Sequence, residues 1–219
     1  MGRTKRSAKL AVLAGALLAA LPAAAQTQAE GKWMMRVRAV HLDTANESKA
    51  IPLLAVPADA IHVSNKTIPE VDFSYFLTKN LAAELILTVP QKHGVKVTSS
   101  AIGPFKAGSF RHLPPTLTLQ YHFLPEGNFR PYLGAGINYT RITNDDLRVP
   151  GVTKLHLEND SWGGALQAGF DAKLSDNLFF NLDVTKIWIR SDVTSPVLGK
   201  VSHVKVDPVA VGVGLGWRF

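Results

Sequence analysis

The sequence predicts an all-β protein, an eight-stranded antiparallel transmembrane β-barrel with short periplasmic turns and long extracellular loops. Three observations predict this class: apolar and polar residues alternate with a period of two in eight segments, the links between the segments are alternately short and long, and the chain opens with an export signal. A period of two indicates a strand with one apolar face. Strands of about 9–11 residues cross a membrane when tilted.

The N-terminal segment is typical of a secretory signal peptide. Basic residues between Arg3 and Lys9 precede a continuous apolar run over 10–21, and small residues follow as far as Ala25. The run is short for a transmembrane helix, which needs about 20 apolar residues. We therefore predict a signal peptide over 1–25, cleaved after Ala25, and a barrel domain over 26–219.

Composition excludes several classes of function. The chain has a formal net charge of +7, but much of the positive charge lies in the predicted signal peptide, so it gives little support for a nucleic-acid partner. Cysteine is absent from the 219 residues, which excludes disulfides, thiol catalysis and thiolate metal sites.

The predicted strands each divide into an apolar and a polar face. In the second strand Val71, Phe73 and Tyr75 alternate with Asp72 and Ser74. Burying an unpaired polar group in a dry core costs roughly several kcal/mol. The polar face therefore suits a hydrated lumen, and the apolar face suits lipid. The strands are expected near 32–42, 69–78, 81–90, 116–124, 131–142, 161–174, 178–190 and 204–219.

The links alternate in length. Tight polar turns are expected over 78–80, 125–128 and 175–177, and long links over 43–68, 91–115, 143–160 and 191–203. This alternation is typical of outer-membrane barrels with periplasmic turns, and an even number of strands puts both termini on the periplasmic side. Closure removes the sheet edges and satisfies every backbone group in the hydrocarbon.

The last strand is expected to close the barrel by pairing with the first. Aromatic girdles are predicted at both interfaces. Their members are Trp33, Trp217 and Phe219 at one interface and Tyr139 and Trp162 at the other, with Trp188 as a further candidate. Lys186 falls on the outward face, so either its side chain reaches the headgroups or a bulge turns Ile187 and Ile189 outward.

The lumen of an eight-stranded barrel fits side chains or one small ligand. A polar network is predicted there from Arg36, Arg38, Glu84, Asp171, Asp183 and Arg218. Both signs of charge are present, which favours a structural plug over a selectivity ring. Lumen-facing glycines such as Gly212 and Gly216 either leave a narrow bore or make room for long neighbouring side chains, those of Arg36 and Arg38.

Apolar residues in two long links predict a hydrophobic entrance at the barrel mouth. Exposing such a segment to water costs about 25 cal/mol per Å² of apolar surface, so it should fold inward. The predicted entrance consists of Ile51, Leu53, Leu54, Val56, Ile102 and Phe105. The alternatives are that these residues pack on neighbouring loops or rest on lipid.

No chemistry-bearing motif points to an enzyme. The seven histidines have no ligand-like spacing, and the GVGLG stretch over 212–216 lacks the Lys and Ser/Thr of a phosphate-binding loop. His122 is expected to be hydrogen-bonded in the lumen, and His112 to anchor a loop. We expect no catalytic, cofactor or metal site.

Four segments of the sequence resemble the OmpW family of small outer-membrane proteins. They are HLPPTL over 112–117, FRPYLGAGINYT over 129–140, DSWG over 160–163, and the ending from Asp207-Pro208 to Trp217-Arg218-Phe219. The resemblance implies an outer-membrane barrel of a Gram-negative bacterium with a hydrophobic passage for small apolar molecules. It also implies that the barrel-assembly machinery reads the terminal aromatic residue of the last strand.

These observations predict a passive passage or binding pocket for small hydrophobic molecules, with outer-membrane lipids as surroundings. A plugged lumen would make the solute leave sideways through the wall. One alternative is a closed barrel whose extracellular loops bind host, phage or bacteriocin factors, which uptake of a hydrophobic compound would distinguish. A second is a lipid-modifying enzyme, which turnover of labelled phospholipid would reveal.

Overall fold

A computed structural model of the protein describes residues 31–151, 153–196 and 199–219. The predicted signal peptide over 1–25 lies outside these residues. Within them, no helix is both long and apolar enough to cross a membrane. A short 3₁₀ helix spans Pro52–Leu54. The strands are β1 (Trp33–Asp43), β2 (Glu47–Ser48), β3 (Ile61–Val63), β4 (Lys66–Phe76), β5 (Leu81–Thr88), β6 (Gln91–Val97), β7 (Phe105–Leu113), β8 (Thr116–His122), β9 (Phe129–Val149), β10 (Thr153–Leu157), β11 (Asp160–Lys173), β12 (Leu178–Ile187), β13 (Arg190–Ser195), β14 (Gly199–Lys205) and β15 (Val209–Arg218).

Eight of these strands form a closed antiparallel ring, which confirms the predicted barrel. Around the ring the order is β1, β4, β5, β8, β9, β11, β12 and β15, and β15 pairs again with β1. The C-terminal residue extends the pairing between β15 and β1. The Phe219 N–H donates to the Trp33 carbonyl at 2.8 Å, and the Trp33 N–H donates to the Phe219 carbonyl at 3.0 Å.

The two faces of the barrel wall are the reverse of those in a soluble protein. On β8, Leu117 and Leu119 are each 49% exposed, whereas Thr118 and Gln120, which alternate with them, are buried. The same alternation recurs on β12 and β15. Apolar side chains therefore cover the outside of the barrel and polar side chains fill its interior.

The short turns agree with the prediction. Each joins two neighbouring barrel strands at the end that carries both termini. In the first turn the Thr78 hydroxyl oxygen accepts hydrogen bonds from the N–H groups of Asn80, at 3.2 Å, and Leu81, at 3.0 Å. A side chain that caps the turn in this way fixes the register of the hairpin.

The long links contain strands where the sequence predicted loops. Strand β9 continues past the membrane to Val149, and the extension pairs with β7 on one side and β10 on the other. The resulting sheet runs in the order β2, β14, β13, β10, β9, β7, β6 and β3. We call this sheet the extracellular collar, since it extends the barrel wall on the side of the long links.

The bulge hypothesis for strand β12 is wrong. Lys186 stays on the outward face, and its ammonium donates to the backbone carbonyl of Asp207. Ile187 and Ile189 point inward and are 7% and 2% exposed. Packing in the apolar interior of the collar stabilises this register.

The predicted girdle residues lie on the outer face near the chain ends and at the opposite rim, and Trp33 packs there against Tyr75, which was not among them. Trp33 and Tyr75 have ring centroids 4.9 Å apart near the chain ends, and Tyr139 and Trp162 are also 4.9 Å apart at the opposite rim. Trp162 is 71% exposed. Phe219 is exposed, Trp217 is half-buried, and the Trp188 ring lies against Gly164.

Candidate functional site

The lower lumen is filled by a buried charged network centred on Arg36. Its guanidinium binds Asp171 with two parallel hydrogen bonds, from Nε at 3.0 Å and from Nη2 at 2.7 Å. Its Nη1 donates to Glu84 Oε1 at 2.8 Å and to the Ser74 hydroxyl at 2.7 Å. Arg36 is 0% exposed. Bidentate pairing of this kind gives strong, directional contacts.

Arg38 is the second centre, one layer closer to the collar. Its Nε donates to Glu70 at 3.0 Å, and its Nη2 lies 2.7 Å from Asp72 Oδ2. Its Nη1 lies 3.2 Å from Asn181 Oδ1 and 3.4 Å from Asp183 Oδ2. These partners come from strands on both sides of β1.

Amide side chains carry the network across the lumen. Gln120 on β8 and Gln167 on β11 both donate to Glu84 Oε2, at 2.7 and 2.9 Å. Tyr132 on β9 donates to Asp183 at 2.8 Å and accepts from Asn181 at 3.0 Å. Strands on opposite sides of the ring are therefore joined through their side chains.

Arg218 belongs to a different layer from the predicted network. Its guanidinium lies 3.9 Å from the centroid of the Phe76 ring, and its Nε donates to the Gly31 carbonyl at 2.8 Å. Phe76 packs in a small apolar cluster with Met34 and Phe179. This layer covers the periplasmic end of the lumen.

The lumen-facing glycines make room for the arginine stems. A Cβ at Gly216 would lie 3.2 Å from Arg36 Cγ, and a Cβ at Gly212 would lie 3.2 Å from Arg38 Cδ. The side chains of Arg36 and Arg38 therefore occupy the space at these glycines, which agrees with the second of the two alternatives and not with an open bore.

The network predicted from the sequence omitted side chains that the structure places in it. Asp72, Glu70 and Ser74 lie on the polar face of β4 and share its parity, which the sequence showed. Tyr132 also has lumen parity, two residues before Gly134, but its aromatic ring made it resemble a lipid-facing residue. Parity was the signal that could have found it.

An apolar chamber lies above the network, inside the extracellular collar. It encloses a cavity of about 50 Å³ whose lining is apolar apart from Ser191, among the described residues. The lining comes from seven strands of the collar and from the segment around the 3₁₀ helix. It includes Ile51, Leu54, Val56, Val95, Phe105, Ala107, Phe110, Ile142, Leu147, Leu157, Val193 and Val204.

The structure brings most of the predicted entrance residues together here. Ile51 and Val56 are buried and exchange two backbone hydrogen bonds, so the segment between them forms a closed loop against the chamber. Leu54 and Phe105 pack partly buried on the same cluster. Ile102 does not join them, since it is 58% exposed in the turn before Gly103. The Leu53 side chain lies outside the described part of the structure.

Three rings in mutual contact, those of Phe110, His93 and His112, lie beside the chamber, and Phe110 belongs to its lining. The Phe110 ring lies 5.9 Å from His93, and His93 lies 4.8 Å from His112. His93 Nδ1 donates to the Ser64 carbonyl at 2.6 Å. Burial lowers the pKa of both histidines, and that of His112 to about 3, with the neighbouring His93 contributing in the same direction. This ring cluster is therefore uncharged at neutral pH.

The barrel wall is interrupted beside this ring cluster. Pairing of β5 with β8 ends at Ile86 and Thr116, and pairing of β6 with β7 begins at Gln91 and His112. Between these pairs, residues 87–90 face residues 113–115 with no ladder partner across the seam in this described region. We call this interruption the wall seam.

Prolines explain the wall seam. Pro90, Pro114 and Pro115 have no N–H to donate to a neighbouring strand. The Asn138 side chain donates to the carbonyls of Pro114, at 3.3 Å, and Pro115, at 3.2 Å, from inside the lumen. These bonds hold the two prolines against β9, on the side away from residues 87–90.

The described residues contain no group of three or more His, Cys, Asp or Glu arranged to hold a metal ion. His122 is buried in the lumen, and its Nε2 lies 3.3 Å from Gln120 Oε1. Its ring packs between Phe76, at 5.1 Å, and Tyr132, at 5.0 Å.

A closed eight-stranded ring with an apolar outer face, aromatic girdles and a polar interior defines a small outer-membrane β-barrel protein. The chain belongs to the OmpW family, whose sequence profile matches residues 29–219. It is therefore a protein of the Gram-negative outer membrane, in contact with the lipid bilayer.

Named relatives span most of the chain. The outer-membrane protein y4mB of Sinorhizobium fredii is 39% identical over 193 residues, which are 85% of this chain and 80% of that protein. Outer membrane protein W of Escherichia coli is 31% identical over 96% of this chain and 99% of its own length. The dibenzothiophene metabolism operon protein PahQ of Pseudomonas aeruginosa is 28% identical over 75% of this chain and 77% of its own length.

A solved structure agrees in fold. The outer membrane protein OprG of Pseudomonas aeruginosa superposes with a TM-score of 0.72 at 28% identity. The match covers 86% of this chain and 96% of OprG.

Proposed function

We propose that this barrel takes up small hydrophobic molecules from the cell exterior and binds them in the apolar chamber. The observation that carries the proposal is the chamber itself, an apolar lining in a part of the protein that faces water. Such a lining favours solutes without charge or strong hydrogen-bonding groups. The name of the relative PahQ, which refers to metabolism of an aromatic sulfur heterocycle, supports the same class of solute.

Entry requires the closed loop between Ile51 and Val56 to move. The cavity of about 50 Å³ has room for a few water molecules at most, so a solute the size of a bicyclic arene must displace side chains. Leu54 is the most movable of them, because it is only partly buried and lies on the closed loop between Ile51 and Val56.

Exit in this proposal is sideways, through the wall seam. The direct path to the periplasm meets the Arg36 and Arg38 networks and the layer around Phe76, where an apolar solute would have to break buried hydrogen bonds. The ring cluster of Phe110, His93 and His112 leads from the chamber to the wall seam, where Val89 on the outer face is 51% exposed. A solute that passes there enters the bilayer down its own gradient.

This mode of action involves no catalytic step and no cofactor. The proposal also includes an assembly partner: the barrel-assembly machinery recognises the last strand through its terminal aromatic residue. Phe219 is exposed and ends the strand that closes the ring, which suits such a role.

The chamber is tested by filling it. Ala107 is 4% exposed and lines the cavity, so Ala107→Trp should occupy the space of the solute. Thr143→Trp, on the outer face of the β9 extension, is the matched control. We expect uptake of naphthalene by a deletion strain to be restored by the wild-type and Thr143→Trp proteins, and not by Ala107→Trp at equal outer-membrane level.

The exit is tested by repairing the wall. Pro114→Val with Pro115→Thr restores two backbone N–H groups, and because N–H directions alternate along a strand, one of them can donate across the seam. We expect slower release of bound naphthalene into the bilayer with unchanged binding. Pro131→Thr at the periplasmic end of β9 is the control for loss of a proline.

Uptake that is the same in the deletion strain and in the strain with the wild-type protein would contradict the proposal. It would favour the interaction barrel, in which the collar binds an external factor and nothing passes inward. Turnover of labelled phospholipid by the purified protein would contradict the absence of catalysis.

A further inference from the structure

The outer face of the hairpin formed by β6 and β7 is strongly basic. Four exposed cations lie on it: Lys92, Lys96, Lys106 and Arg111. No aspartate or glutamate occurs in the sequence between Glu84 and Glu126. We call these four residues the basic hairpin face.

The four cations are arranged as two opposed pairs. Lys92 is directly opposite Arg111 in the register, and Lys96 is directly opposite Lys106. Directly opposed side chains have Cβ atoms about 4.5–5.5 Å apart, where like charges destabilise a sheet. In the described part of the chain no carboxylate forms an ion pair with any of the four. An anion from outside the chain would relieve this repulsion.

The pair nearer the membrane lies at the height of lipid headgroups. The N–H of the girdle residue Tyr139 donates to the Pro115 carbonyl at 3.1 Å. Arg111 is four residues farther along the strand, which is about 13 Å at 3.3 Å per residue and about 10 Å in height at a tilt of about 40°. The polar layer of a bilayer is roughly 5–8 Å thick on each side, so the backbone at Lys92 and Arg111 lies just beyond its outer edge and their long side chains can extend back to the headgroups.

The wall directly below the basic hairpin face is apolar. Leu87, Val89 and Leu117 point outward and are 38%, 51% and 49% exposed. Anionic groups above and acyl chains below describe an amphipathic lipid better than a soluble polyanion. We propose that the basic hairpin face binds the phosphate groups of lipid A, the anionic lipid of the outer leaflet, with its acyl chains along these three residues.

The test compares lipid A with and without its phosphates. The purified full barrel in detergent is titrated with diphosphoryl lipid A and with dephosphorylated lipid A, and binding is read by native mass spectrometry. Each Lys or Arg near an anionic surface contributes enough that losing two should weaken binding about 30-fold. We therefore expect that loss for Lys92→Gln with Arg111→Gln, and wild-type affinity for the conservative Lys92→Arg.

The matched control removes the same charge from the periplasmic turns. Lys79 and Lys173 lie there in ion pairs with Glu126, at 2.5 Å, and Asp176, at 3.3 Å. Lys79→Gln with Lys173→Gln should bind lipid A like the wild type. Heat-modifiable migration verifies that each variant is folded. If the first double variant does not fold, the single variants Lys92→Gln and Arg111→Gln are each expected to weaken binding about 5-fold.

Three results would overturn the proposal. They are equal affinity for phosphorylated and dephosphorylated lipid A, an equal loss in the periplasmic control, and displacement of lipid A by inorganic phosphate at the same concentration. The last would mean that the face binds free phosphate and not the lipid.

Discussion

Removal of Arg36 is the perturbation whose size the structure defines best. Its side chain is 0% exposed and makes three hydrogen bonds to carboxylates, two to Asp171 and one to Glu84. Arg36→Met keeps much of the apolar stem but leaves both carboxylates without their cation. Breaking a buried ion pair by removing one partner costs about 3–5 kcal/mol. We expect the free energy of unfolding to fall by about that amount.

The measurement is equilibrium unfolding in urea from lipid vesicles, followed by tryptophan fluorescence. Arg141→Met, an exposed arginine on β9, is the control and should lie within about 0.5 kcal/mol of the wild type. Arg36→Met with Asp171→Asn should lose less than the sum of the two single variants, because the second change removes a stranded charge. A loss below about 1 kcal/mol for Arg36→Met would refute the assignment of Arg36 as the centre of the network.

Three further predictions concern other layers of the protein. Burial lowers the pKa of His112 in the folded protein to about 3, below its usual value, so protonation favours unfolding. Stability is retained above about pH 6.5 and falls by about 3 kcal/mol between pH 7 and pH 4. His112→Gln should remove that loss, whereas His62→Gln, at an exposed site, should not. Gly216→Val places a Cβ 2.5 Å from Met34 Cε and should cost about 1–3 kcal/mol in urea unfolding, whereas Leu215→Val on the lipid face should cost less. Deletion of Phe219 removes two backbone hydrogen bonds to Trp33 and, on our proposal, the assembly signal, so the folded fraction in outer-membrane preparations should fall, while Phe219→Tyr should retain it.

The barrel could be predicted from the sequence because lipid imposes a simple rule on each strand. Leu117 and Leu119 alternate with Thr118 and Gln120 regardless of which strands lie beside β8, so local parity identifies both the strand and its faces. The polar centre was accessible for the same reason, since Arg36, Arg38, Glu84, Asp171 and Asp183 all have inward parity.

The collar could not be predicted in the same way. In β6, His93 and Val95 alternate with Lys92 and Gly94, which is a weak strand pattern. The segment forms a strand because it pairs with β7, and β7 in turn pairs with the extension of β9, which is distant in sequence. The grouping of the lumen into layers also depends on register between strands. Arg218 has inward parity like Arg36 but lies nearer the periplasmic end, where it meets Phe76.

The position of a bound solute tests the central claim most directly. In nanodiscs containing methyl-labelled protein and naphthalene, we predict nuclear Overhauser effects from the arene to the methyl groups of chamber residues Val95 and Val193, and their loss in Ala107→Trp. Lipid-facing Leu215 should give the same signal in both proteins, because naphthalene also dissolves in the bilayer. Effects limited to lipid-facing methyl groups, or chamber effects that persist in Ala107→Trp, would contradict an apolar binding site inside the collar.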